Sequence, residues 1–151
     1  MRNYYEQIYE YLEKLLHALI IEDKKKSFSG KKSLQILDLM LMSYMEKGKG
    51  NSIQKLIAET GLKRNDITSA VKRLTDRKMV YKATSGEDKR IKELVLTEQG
   101  ETVLLESRKQ EQKELFELLN EFTFNEEKAI LKFLVKVDMR YREKTKETID
   151  S

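Results

Sequence analysis

Few residues in this chain could perform covalent or metal chemistry. There is no Cys and a single His, His17, so thiolate nucleophiles, cysteine-based zinc sites, disulfides and cysteine redox switches are excluded. His17 lies among Leu16, Ala18 and Leu19, which reads as a packed or interface imidazole rather than a ligand. Carboxylates stand in pairs such as Glu126-Glu127, but at a helix start, where the helix dipole favours them without any catalytic role. No cofactor, metal site or enzymatic activity is expected. The side chains that do cluster are cationic. Residues 63–92 hold ten Lys or Arg and four acids, a net of +6, while the whole chain carries +4, leaving −2 for the remainder. Such a patch suits a polyphosphate partner.

Those cations need elements to hold them. Leu56, Gly61, Leu62, Ile67 and Ala70 have the spacing of a helix-turn-helix, in which glycine permits a left-handed turn and apolar positions pack the two helices together. The second of these helices has Ile67, Ala70, Val71 and Leu74 on one face and Lys63, Arg64, Asn65, Thr68, Ser69 and Lys72 on the other. After Lys78 the apolar period drops to about two: residues 79–83 and 92–96 form candidate strands. A polar loop carrying Lys89 and Arg90 joins them as an antiparallel hairpin.

Helical periodicity brackets this centre. Tyr5, Ile8, Tyr9, Leu12, Leu15, Leu16, Leu19 and Ile20 predict a first helix over 4–21, and the lysine-rich residues 22–32 read as a loop. The tyrosines of this helix suit an interface. Ser33 is a candidate cap for a helix closed by Gly48 and Gly50, and Ser52 for a short one before Gly61. Thr97 can cap a long helix through Leu119, and Thr123 with Glu126 has capping-box spacing ahead of Ile130, Phe133, Leu134 and Val137. After Tyr141 the tail is simply charged.

With 151 residues, 39% of them hydrophobic and 37% charged, the chain suits one cooperative domain. No apolar run reaches the ~20 residues of a membrane span. Glu6, Glu10 and Glu13 interrupt any secretory signal, so a cytoplasmic address is expected.

The segment Asp88-Lys89-Arg90-Ile91-Lys92-Glu93-Leu94-Val95-Leu96-Thr97-Glu98-Gln99-Gly100 fits the pattern D-x-R-(x)5-L-T-x-x-G at every fixed position. In this it resembles the MarR-type winged-helix regulators, a class that includes the SarA branch. The resemblance extends upstream through Leu56–Val80 and downstream to the helix start at Phe122–Glu127. It implies a mainly α fold with a small β-hairpin: a single MarR-like domain over 1–151, a winged helix-turn-helix core at 33–97, and dimerisation helices at 1–21 and 98–145.

The implied function is sequence-specific transcriptional regulation by a homodimer on pseudo-palindromic double-stranded DNA, with release by a small organic effector or no effector at all. Arg90 would be the wing arginine, entering the minor groove, with Asp88 holding it by a salt bridge and Lys89 adding phosphate contacts. Lys63, Arg64, Asn65, Thr68, Ser69 and Lys72 would meet bases or backbone. The chain departs from the family pattern at Lys63, where a small capping residue is usual, at Lys78, where glycine is usual, and at Ile57, often Ala. The alternative from another class is a winged-helix module that binds a partner regulator instead of DNA. Binding through phosphates would weaken steeply with salt, whereas an apolar protein interface would not.

Overall fold

The computed structural model describes residues 4–28, 34–84 and 90–150. Six helices and one hairpin follow in the order α1 (Tyr5–Phe28), α2 (Ile36–Lys47), α3 (Ile53–Thr60), α4 (Arg64–Asp76), β1 (Val80–Thr84), β2 (Lys92–Leu96), α5 (Glu98–Leu119) and α6 (Phe124–Asp150). This is the expected mainly α architecture with a small hairpin. The chain divides into two compact units, Met1–Leu105 and Glu106–Ser151.

The first unit holds the core. Leu41, Met42 and Met45 of α2, Leu56 of α3, Ile67, Ala70, Val71 and Leu74 of α4, Val80, Leu94 and Leu96 of the strands and Leu104 of α5 are all buried. The predicted inward face of α4 is therefore the buried one. β1 and β2 pair antiparallel with Val80 opposite Leu96 and Thr84 opposite Lys92; β1 starts one residue later than the sequence reading has it. A two-stranded ribbon is marginal alone, and this one leans on the helices. The Leu94 amide donates to the Asn51 carbonyl at 2.6 Å, and the Gly50 amide to Glu93 Oε1 at 2.8 Å.

Several ends follow from local chemistry. Ser52 Oγ accepts from the Lys55 amide at 3.1 Å, which starts α3 as expected. Gly61, at φ +74°, ends it and donates to the Ile57 carbonyl at 2.9 Å. Thr97 Oγ1 accepts from the Gly100 amide at 3.0 Å and donates to the Lys78 carbonyl at 2.6 Å, tying the start of α5 to the end of α4. Gly100 is needed at that junction, since a Cβ there would collide with the Met79 carbonyl oxygen.

Two segments differ from the sequence reading. Residues 22–28, expected in a loop, continue α1: Glu22, Asp23 and three lysines include no helix breaker, and Lys25 and Lys26 in the last turn complement the dipole. α6 likewise runs on to Asp150, past the expected end at 145. α2 begins after Gln35; Ser33, the expected cap, lies outside the described residues.

In the second unit the end of α5 turns through Asn120–Thr123 into α6. The Glu126 amide donates to Thr123 Oγ1 at 3.2 Å and the Thr123 amide to Glu126 Oε1 at 2.8 Å, a complete capping box. Hydrogen bonding to Thr123, from its backbone amide first and its side chain second, holds the Glu126 carboxyl below its ordinary pKa.

Candidate nucleic-acid interface

The four buried side chains of α4 turn one face to the core, so its opposite face projects outward. Lys63, Arg64, Asn65, Ser69 and Lys72 are exposed and Thr68 is half-buried, its hydroxyl donating to the Asn65 carbonyl at 3.2 Å. No apolar side chain interrupts this face. Lys63, where a small capping residue is usual, is the N-cap and makes no side-chain cap bond, and α4 starts at Arg64.

At the other end Lys78 takes the place usual for glycine. Its φ is +60°, and its amide donates to the Thr75 carbonyl at 3.0 Å while the Met79 amide donates to the Leu74 carbonyl at 2.9 Å. These are the two bonds of a Schellman motif with a left-handed residue at the stop. A lysine is held here in a glycine's conformation. Ile57, the third departure, is partly buried and packs against the core.

At the loop end of the hairpin, Arg90 and Lys92 are exposed, and Lys92 Nζ lies 3.5 Å from Thr84 Oγ1. With Lys82 they line a cleft of about 280 Å³ whose far wall is Ser52, Ile53 and Gln54 at the start of α3. Asp88, expected to pair with Arg90, and Lys89 lie outside the described residues.

Not every cation of the basic stretch points outward. Arg73 Nη2 donates to Asp38 Oδ1 at 2.9 Å, and Asp38 is 2% exposed. The sequence reading misses this pair; an acid inside the apolar run of α2 is the signal that could have found it. It also misses Asn51, 1% exposed, whose Nδ2 donates to the carbonyls of Met45 and Gly48 at 3.2 and 3.0 Å and so closes the α2–α3 connection. His17, expected to be packed or at an interface, is exposed on this chain. Among the described residues no group of three or more His, Cys, Asp or Glu could hold a metal ion, and no helix is long and apolar enough to cross a membrane.

Comparison with known proteins gives the family. Solved structures with this fold include FabT of Streptococcus pneumoniae in complex with DNA, 18% identical over 92% of this chain and 98% of that one with a TM-score of 0.77. YusO of Bacillus subtilis is 16% identical over 89% of this chain and 94% of its own, with a TM-score of 0.70. A MarR/EmrR family transcriptional regulator from Acinetobacter sp. ADP1 is 20% identical over 94% and 99%, with a TM-score of 0.65. At these identities the likeness establishes the MarR-type winged-helix fold. No curated protein sequence matches the chain. The profile described as transcriptional regulator SarA/Rot matches residues 23–107, more than half of the length, and the chain belongs to the SarA/Rot family of transcriptional regulators.

Proposed function

We propose that this regulator binds double-stranded DNA sequence-specifically, as a homodimer on pseudo-palindromic sites. α4 enters the major groove, where Arg64, Asn65, Thr68, Ser69 and Lys72 meet base edges and phosphates and Lys63 meets the backbone; Arg is suited to a bidentate contact with guanine. Arg90 reaches the adjacent minor groove from the hairpin. The observation that carries the reading is the two-faced α4: one face is sealed by Ile67, Ala70, Val71 and Leu74, while Arg64, Asn65, Ser69 and Lys72 stand in solvent on the other. The FabT structure offers a precedent in the same fold, since it contains DNA.

Dimerisation rests on a second observation. α1 exposes Ile8, Leu12, Leu15, Leu16, Leu19 and Ile20, and α6 exposes Leu131, Phe133, Leu134 and Met139. Apolar surface on this scale is uncommon on a monomer and marks an interface. Interlocking these first and last helices between two copies pairs two winged helices, one for each half-site, with centres about one DNA turn, ~34 Å, apart.

Selection from a random pool of duplex DNA tests the reading. The expected product is an inverted repeat with half-site centres about ten base pairs apart, whose binding weakens steeply with salt. Recovery of no preferred sequence, together with salt-insensitive capture of a partner regulator, would favour the protein-interaction module instead.

A further inference from the structure

Among the described residues Asp38 is the one acid buried in the core. It lies in the first turn of α2, with Oδ2 accepting from the Gln35 amide at 3.2 Å and Oδ1 from Arg73 Nη2 of α4 at 2.9 Å. Arg73 Nε is buried without a hydrogen-bond partner, so the pair is imperfectly satisfied as well as costly to desolvate. On the far side of the same helix end, Asp23 of α1 accepts from the Ile36 amide through Oδ1 at 2.7 Å, and its carbonyl accepts from Gln35 Nε2 at 3.2 Å. The start of α2 thus carries polar bonds to both α1 and α4.

Only the acid of this ion pair is fully buried, the Arg73 side chain being 40% exposed, and such a pair is weak evidence for stability, because apolar side chains of similar volume often do as well or better. Its distinguishing property is direction. The contacts of Ile67, Ala70, Val71 and Leu74 hold α4 against the core but tolerate small slides and rotations, since hydrophobic attraction is non-directional. A hydrogen bond from Arg73 weakens steeply with misalignment. Arg73 adjoins Lys72 on the exposed face, so fixing one fixes the other. We propose that Asp38 is a positioning residue: through Arg73 it sets the rotation and axial placement of the DNA-reading helix, and Asp23 extends that anchorage to α1. The inference rests on the reading of α4 as the DNA-contacting element.

The full-length wild type, Asp38→Asn, Arg73→Lys and the double variant Asp38→Leu/Arg73→Met test it. Three quantities are measured: the melting temperature, the ratio of affinities for the selected duplex and a scrambled one, and amide hydrogen exchange of α4 against α3. Asp38→Asn should lower both melting temperature and discrimination. The double variant should melt at or above the wild-type temperature, yet its discrimination should stay down by about tenfold, the scale of one mismatched base pair. Its α4 amides should exchange faster while those of α3 do not. Arg73→Lys keeps the charge and loses the planar fork, so it should stay folded and lose discrimination in part.

Discrimination that returns with stability in the double variant, or that survives Asp38→Asn, overturns the positioning role. Should the wild type itself prefer no sequence, the DNA reading fails, and hydrogen exchange alone decides: unchanged α4 protection in the double variant refutes the anchorage.

Discussion

At the residue scale, the motif that links the hairpin to α5 has a steric reading. Gly100 stands where its backbone abuts the Met79 carbonyl, with no space for a methyl group. Gly100→Ala should cost ~1–3 kcal/mol, as overpacking does in well-filled cores, and urea unfolding would measure it. Lys78 is the opposite case, a side chain where glycine belongs. At φ +60° it pays left-handed strain, and Lys78→Gly should stabilise by roughly 0.5–1 kcal/mol once glycine's extra chain entropy is deducted; the same unfolding series would record it. Glycine positions such as Gly61 and Gly100 could be read from the sequence because turns and family pattern mark them. The partners of Asn51 could not, and that of Arg73 was signalled only by the acid inside the apolar run of α2. Arg73 counts as one more cation until α2 is folded beside α4, and the two ends of that ion pair lie 35 residues apart.

At the element scale, helix starts were legible and helix ends less so. Ser52, Thr97 and the Thr123/Glu126 box act as their side-chain chemistry requires, since a cap is decided by three or four neighbouring residues. α1 and α6 outran their expected ends because an apolar stripe marks only where a helix buries a face. Charged, Pro-free continuations such as residues 22–28 can stay helical without one. The capping box yields a pH prediction. Glu126 has its pKa lowered by bonds from Thr123, so its contribution to the α6 start is present above the unfolded value and is lost as pH falls through the lowered one. Carboxyl chemical shifts followed by NMR should show Glu126 titrating below its ordinary range, and Thr123→Ala should return part of that shift; an unaltered titration in the variant would mean the hydroxyl contributes nothing.

At the scale of the whole molecule, the apolar residues divide into two populations. One set, from Leu34 to Leu104, fills the core of the first unit; the other, along α1 and α6, stands exposed on a single chain. Periodicity marks both as apolar stripes without telling whether the partner is the same chain or another. Under the dimer reading, sedimentation should give twice the chain mass, and Leu16→Glu with Leu134→Glu should shift the protein to monomer while the near-UV signal of the winged helix persists. A wild type that stays monomeric at micromolar concentration would remove the dimer from the account.

The central claim is that α4 and the hairpin read DNA. It is tested most directly by fluorescence anisotropy of the wild type and of Arg90→Ala on the selected duplex, at low and moderate salt. Wild-type binding that resists competitor DNA and falls steeply with salt, weakened by ~1–3 kcal/mol in Arg90→Ala without loss of fold, is the expected result. Equal, salt-insensitive binding by the two proteins would contradict it.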